Sequence, residues 1–260
     1  MITGIVITLN EADNIADCLA SLAKVCDELI VVDSDSTDDT RERAAAAGAR
    51  VVSQSYLGDG PQKNVGLAHA RNDWVLSVDA DERLSDEMVA TIQALDLKTT
   101  SHDAFAFRRR NYIGSRWIRR CGWYPDYCIR LYNRQLTRFA DRKQHSTVQA
   151  RQPRRLDADL IHYSYADIGQ LFAKPGRNFS GRAARIMYLE GKRVSSLAPV
   201  VHGASALFRK YILQLGFLGG LDGLTVSLSA AVNSYLKYAK LLELQRDATV
   251  LERTNLKRVW

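Results

Sequence analysis

Apolar positions in the first hundred residues switch between two periods. "ITGIVITL" (2–9), "ELIVVD" (28–33), "RVVSQ" (50–54) and "DWVLSVD" (73–79) are short β-branched runs, and they predict four buried strands. Between the first two, Ile15, Cys18, Leu19 and Leu22 share one helical face, with Asn10 as the expected N-cap. "STDDTRERAAAAG" (36–48) predicts a second helix stopped at Gly48, and "PQKNVGLAHA" (61–70) a third that starts with proline; Ser85 is placed to cap a fourth over 86–95. Strands alternating with helices, with strands apolar on both faces, predict a mostly parallel Rossmann-like α/β sheet covered on both sides. Such sheets bind ligands beyond the carboxyl ends of their strands. Asn10, Glu11, Asp33, Asp79 and Asp81 all fall at that edge, so the pattern predicts a crevice rimmed with carboxylates.

Beyond residue 100 the pattern loosens. "DAFAFRRRNYI", "YCIRLYN" and "ADLIHYSY" read as further strands, and from 166 the chain reads as helical and basic. The expected division is therefore a catalytic domain over 1–165 and a helical extension over 166–260. Between Lys210 and Lys237 the single charged residue is Asp222, but Gly216, Gly219, Gly220 and Gly223 interrupt the run before a membrane-spanning length is reached. From Leu224 the apolar residues follow one helical stripe, through 228, 231, 232, 235, 239 and 242. A helix over 211–242 then either lies on a membrane surface, flanked by Arg209, Lys210, Lys237 and Lys240, or packs on the sheet domain.

Charge sharpens this division. The chain has 260 residues and a formal net charge of +7. Residues 1–100 hold 8 Lys/Arg against 18 Asp/Glu, whereas 101–260 hold 28 against 11. An acidic half and a basic half suit two partners, or one partner carrying both signs. None of the four cysteines forms a C-x-x-C pair, which fits reduced structural thiols in a cytoplasmic compartment. "MITGIVITLN" has no basic region before its apolar run and no small-residue cleavage site after it, so no secretory signal is expected.

The turn after the first strand is "TLNE", which is neither a dinucleotide fingerprint nor a P-loop. Phosphates at this edge need another partner. A Mg²⁺ or Mn²⁺ ion on Asp79 and Asp81 would supply one, since such ions take one or two carboxylates plus substrate phosphates and water. The same D-x-D spacing also describes a solvated turn. Arg108, Arg109, Arg110, Arg116, Arg119 and Arg120 lie in one acid-free stretch with Trp117, Trp123 and Tyr124 among them. Guanidinium forks and aromatic faces suit an acidic sugar, or a solvated basic loop. No nucleic-acid-binding module accompanies them, so no nucleic-acid partner is expected.

"TLNEADNIADCLASL", "ELIVVDSDSTDDT", "QKNVGLAHARNDWVLSVDADERL" and "GWYPDYCIRLYNR" together resemble the family-2 glycosyltransferases, and within them the lipopolysaccharide inner-core β-1,4-glucosyltransferases. The resemblance covers the whole chain and is strongest over 3–135. It implies a GT-A fold and inverting transfer from a nucleotide sugar. By matching motifs, Thr8, Asn10 and Glu11 would contact the nucleoside, Asp33 the base, and Lys63 the base or diphosphate. Asp79 would face ribose and metal, Asp81 would bind the metal, and His162 would complete its shell. Relatives carry their base in a short His-Glu motif, but here "KQHSTV" puts Ser146 where that glutamate would be. Asp126 is then the expected base, with His145 as the second candidate.

The expected activity is transfer of a hexose, glucose from UDP-glucose, to a heptose of the lipopolysaccharide inner core, at the inner face of the inner membrane. Another lipid-linked acceptor, or a catalytically inactive sugar-nucleotide-binding protein, are the alternatives. Processive polysaccharide synthesis is not expected, because no Q-x-x-R-W motif is present; Ile113 stands where the glutamine would be.

Overall fold

The four predicted strands form as β1 (Ile2–Thr8), β2 (Glu28–Asp33), β3 (Arg50–Ser53) and β4 (Trp74–Asp79). They pair in parallel in the order β3-β2-β1-β4. The computed structural model describes residues 1–141, 146–174, 180–247 and 249. Beyond β4 the sheet continues through β8 (Tyr127–Asn133), β6 (Ala104–Ile113), β9 (Pro153–Tyr165) and β5 (Glu82–Leu84), with antiparallel pairing of β4 to β8, β8 to β6 and β9 to β5.

Strand alternation sends side chains into two cores. On β1, Ile2 and Val6 join one cluster with Ile15, Leu19 and Leu22 of α1 (Ile15–Leu22) and Met88 of α4 (Asp86–Gln93). Ile5 joins the other cluster, with Val32, Val75 and Tyr132, under α3 (Asp59–His69). Both faces are thus apolar and covered, as a parallel sheet requires. Gly66 lets α3 sit close: a Cβ there would come 2.6 Å from Ile5 Cγ2. Each fully buried Ile or Leu contributes roughly 1.5–3 kcal/mol.

Element ends differ from the expectations for identifiable reasons. Asn10 does not cap α1. It has φ 55°, and its side-chain oxygen accepts the Thr37 N–H at 2.8 Å. α2 (Thr40–Ala46) starts four residues late, because the Asp38 carboxylate binds the N–H of Thr40 at 3.1 Å and of Ala12 at 3.2 Å, holding 36–39 as a turn. Ser85 caps α4 as expected, accepting the Met88 N–H at 3.1 Å. β5 was not foreseen. It puts Glu82 opposite His162 and Leu84 opposite Leu160.

The described chain divides into two units, Met1–Arg110 with Pro125–His162, and Asn111–Tyr124 with the chain from Tyr163 onward. The division therefore differs from one drawn at 165. Residues 111–124 belong to the second unit because Ile113, Ile118 and Cys121 bury themselves against Leu171 and Val226. That unit carries the short strand β7 (Arg116–Trp117) and the helices α5 (Ile168–Lys174), α6 (Ser180–Leu189), α7 (Ala198–Phe208) and α8 (Gly220–Arg246). A π-helical turn (Arg209–Leu213) and a 3-10 turn (Gly216–Gly219) break the chain between α7 and α8. All four cysteines are free thiols.

Candidate active site

At the carboxyl ends of β1, β2 and β4 lies a cleft of about 460 Å³, within the range of small-ligand sites. Ile7, Thr8, Leu9 and Glu11 line it from the end of β1, and Ser34 from the end of β2. Tyr56, Asp79, Ala80, Asp81, Arg109 and His162 complete the lining.

The cleft floor is a matched set of charges. The Asp79 carboxylate meets Lys63 Nζ at 3.0 Å through one oxygen and Arg130 Nη2 at 2.9 Å through the other. Lys63 also pairs with Asp59 at 3.1 Å and lies over the Phe139 ring. Arg130 Nη2 contacts the Glu82 carboxylate, which in turn accepts the Asp79 N–H at 3.0 Å. Lys63 and Arg130 are 4% exposed and Glu82 fully buried. Burial of this kind is tolerated only where each charge is paired. Burial opposes ionisation of Asp79, but Lys63 and Arg130 outweigh it and hold the carboxyl well below its ordinary range. Burial pushes Glu82 up despite Arg130, helped by the neighbouring Asp79.

Asp81 stands apart from this network. Its Oδ2 lies 3.4 Å from His162 Nε2, and both side chains line the cleft. The register of β5 against β9 makes this meeting possible, since Glu82 pairs with His162 and Asp81 immediately precedes it.

Residues 3–156 match the family model described as Glycosyl transferase family 2. The chain belongs to that family. An uncharacterized glycosyltransferase of Rickettsia bellii (strain RML369-C) is 32% identical over 94% of this chain and 86% of its own length. A lipopolysaccharide core biosynthesis glycosyltransferase of Rhizobium meliloti (strain 1021) is 24% identical over 93% of this chain and 92% of its own. Among solved structures, glucosyl-3-phosphoglycerate synthase from Mycobacterium tuberculosis, in complex with Mn²⁺, UDP and glucosyl-3-phosphoglycerate, is 33% identical over 42% of this chain and 44% of that chain, with a TM-score of 0.36. The observed architecture, a largely parallel sheet extended by antiparallel strands and covered by helices, has the α/β form expected of a GT-A glycosyltransferase.

Several residues sit differently from the roles that membership suggested. The crevice is not bare acid, because Arg109 lines it from β6 and Lys63 and Arg130 meet its Asp79 from α3 and β8 beneath. Asp79 is committed through both oxygens to Lys63 and Arg130, so of the three expected metal ligands only Asp81 and His162 come together in the open. Lys63 is spent on Asp79 and Asp59 and does not line the cleft. Asp33 is fully buried, accepting from Thr8 Oγ1 at 3.0 Å, from the Ser36 N–H at 2.9 Å and from the Ser36 hydroxyl. Contact between Asp33 and a base requires Ser36 or Thr8 to give way. Asn10 is exposed and holds Thr37, while Glu11 lines the cleft.

Asp126 does not line the cleft. Arg109, which does, donates to Asp126 Oδ2 from Nε at 3.0 Å and from Nη2 at 2.7 Å. His145 lies outside the described residues. Ser146 is fixed by structure: its N–H donates to Asp59 Oδ2 at 3.0 Å and its hydroxyl to Ala140 O at 2.6 Å.

Among the described residues no three His, Cys, Asp or Glu side chains cluster as a closed metal site needs. An open pair of one carboxylate and one imidazole still fits Mg²⁺ or Mn²⁺, whose remaining positions go to phosphate oxygens and water. Arg130 and Arg109 were not singled out as cleft residues by sequence reasoning. The signal for Arg130 was present, as a lone charge inside the apolar strand "YCIRLYN".

Proposed function

We propose that this protein transfers a hexosyl group from a UDP-sugar, UDP-glucose being the donor to test first, to a sugar of the lipopolysaccharide core. The observation that carries this is the Asp81–His162 pair, 3.4 Å apart in a cleft where the neighbouring Asp79 carboxylate is already taken by Lys63 and Arg130. A cation held by Asp81 and His162 would neutralise charge on the departing diphosphate. Family membership supports the reaction class, and the name of the Rhizobium meliloti relative supports the acceptor.

Transfer forms a bond from the acceptor oxygen to the anomeric carbon and breaks the bond from that carbon to the β-phosphate, with the electron pair leaving on UDP. The acceptor proton is assigned to Asp126, which lies outside the cleft lining and is joined to it through Arg109, so the acceptor hydroxyl must approach from the Arg109 side. Glu11 and Thr8 hold the nucleoside end, and the Lys63–Asp79–Arg130 set keeps the floor rigid.

The decisive experiment measures UDP release from UDP-glucose with purified core acceptor, with and without Mg²⁺ or Mn²⁺. Asp81→Ala is expected to lower turnover by about a thousandfold, the equivalent of roughly 4 kcal/mol of lost transition-state stabilisation. Asp126→Asn is expected to keep donor binding by calorimetry and lose transfer. Full activity in that variant would move the base to His145. A wild-type protein that binds the UDP-sugar yet releases UDP with no acceptor is a sensor, and the proposal fails.

A further inference from the structure

The second unit exposes apolar side chains where a water-soluble helix pair would bury them. Of the stripe expected from Leu224 onward, Leu224, Leu228, Val232 and Tyr235 are exposed while Ala231, Ala239 and Leu242 are half-buried, and Leu221, 76% exposed, extends the outward face at spacings of three and four. The side of α8 that packs inward is a different one, with Val226, Leu241 and Leu244. α7 presents a matching face through Val201 and Phe208. Where the two helices join, Leu213, Phe217 and Leu218 are all about half exposed or more. Exposed apolar patches this continuous are uncommon on soluble monomers and mark interaction surfaces.

The join is built to hold its shape. The helical segments Ala198–Leu213 and Gly216–Arg246 meet at a 68° bend. Leu215 sits at φ 54°, in the left-handed region that non-glycine residues avoid, and its side chain is exposed. At Gly223 a Cβ would fall 1.9 Å from the Gly216 carbonyl oxygen, so the two backbones close on each other there. A strained leucine and a pinned glycine hold the apolar elbow outward.

Charge identifies the occupant. A hollow of about 280 Å³ beside the elbow has Leu218 and Gly219 on one wall and Trp117, Arg119 and Arg120 on another. Arg119 and Arg120 are exposed, and the Arg119 guanidinium lies over the Trp117 ring at 4.1 Å. The single acid between Lys210 and Lys237, Asp222, is neutralised by Arg116 Nε at 2.8 Å. Arg209 is exposed where α7 ends and Lys237 is half-exposed on α8, whereas Lys210 donates to the Cys121 carbonyl oxygen at 2.8 Å and Lys240 to Ser180 Oγ at 2.9 Å, so the rim is carried by Arg119, Arg120, Arg209 and Lys237. Apolar side chains rimmed by cations, with the local acid cancelled, complement the anionic surface of a lipid bilayer. Among the described residues no single helix is long and apolar enough to cross a membrane, whereas the bent pair Ala198–Leu213 and Gly216–Arg246 together meets that length and composition.

We propose that the bent α7–α8 pair, with Arg119 and Arg120 beside its elbow, docks on anionic lipid and dips the elbow into one leaflet. This deepens the glycosyltransferase proposal by bringing the enzyme to a lipid-borne acceptor, and rests on it for purpose only, because docking is measured without any sugar.

The full-length protein is floated with vesicles of phosphatidylethanolamine and phosphatidylglycerol, and with phosphatidylcholine alone. Binding to the anionic vesicles is expected, weakening as salt rises. Leu218→Glu and Leu221→Glu are each expected to lower partitioning by at least about tenfold, since burying a leucine in lipid is worth about that factor. Arg119→Glu and Arg120→Glu are expected to lower it by at least about fivefold per residue. All four positions are exposed or open to the hollow, and retained circular dichroism and UDP-sugar binding establish that the variants are folded. In a Phe217→Trp variant, quenchers on the acyl chains are expected to reduce fluorescence. Equal binding to neutral and anionic vesicles, or no quenching, overturns the proposal. So does a dimer, seen by sedimentation, that Leu221→Glu dissociates while vesicles are ignored.

Discussion

The cleft of the first unit and the helix pair of the second break the same rule in opposite directions. In the cleft, charged groups that belong in water are buried: Glu82 is fully enclosed and Lys63 and Arg130 nearly so. On the helix pair, leucines that belong in a core face outward, Leu221 at 76% exposure. The two departures carry different costs. A buried charge must be matched at once, within the chain, or the fold fails. An exposed leucine costs the fold little, and its cost falls on solubility until a partner covers it. Polar irregularity inside a core therefore tests as stability, whereas apolar irregularity on a surface tests as binding.

The sharpest way to break the comparison is to unmatch the cleft. Arg130→Met removes the guanidinium that serves both Asp79 and Glu82. The loss is expected to be about 3–5 kcal/mol, because two carboxylates remain behind without their shared partner. For a chain of this size that corresponds to a melting temperature lower by roughly 10 °C, read by calorimetry. Adding Glu82→Gln should recover part of it, since the neutral amide needs no cation. A single variant as stable as wild type would mean that the network is not closed in solution.

How these regions could be read from sequence differs for the same physical reason. β1 to β4 were legible because their apolar runs are local and periodic, and Ile15, Cys18, Leu19 and Leu22 announce a helix within eight residues. Asp81 was legible because it follows a strand directly. The partners were not. Lys63 and Arg130 reach Asp79 from α3 and β8, and Arg109 reaches the cleft from β6, and nothing near Asp79 in sequence marks which distant cation will meet it. β5 was missed because three residues carry no periodicity and exist as a strand only through β9. The stripe on α8 was visible in its spacing, yet spacing could not tell which side faced inward. Burial of Val226 and Leu244 and exposure of Leu224 and Leu228 decide that.

A smaller effect separates Asp79 from Arg130. Asp79→Asn leaves Lys63 with Asp59, and Arg130 with Glu82, so no buried charge is stranded. The expected cost at pH 7 is about 2 kcal/mol, that of hydrogen bonds to a charged group. It should also depend on pH. The folded protein holds the Asp79 carboxyl below its ordinary value, so as pH falls the unfolded chain takes up this proton first. The stabilisation is complete above about pH 4 and is lost as pH falls through the lowered native value. Urea midpoints of wild type and variant, measured without metal, should therefore keep a constant gap from pH 7 to about pH 4 and begin to converge as pH falls below that. A gap that stays constant below that pH as well would show that the carboxylate acts through shape and not through charge.

The smallest expected change bears on the other half of the comparison. Leu221→Glu puts a carboxylate on an exposed face of α8, where the leucine is 76% exposed in the fold. Its effect on stability in the absence of lipid should lie within about 0.5 kcal/mol, the range of ordinary surface substitutions. Leu241→Ala is the control one face away: Leu241 is fully buried against Ala184 and Leu244, and losing it should cost about 2–5 kcal/mol. The two leucines share a helix and differ in burial, so helix propensity cannot account for a difference between them. If Leu221→Glu destabilises the lipid-free protein by more than about 1 kcal/mol, the face is already covered by protein in solution. The contrast between matched charge in the cleft and unmatched apolar surface on the helix pair would then be lost.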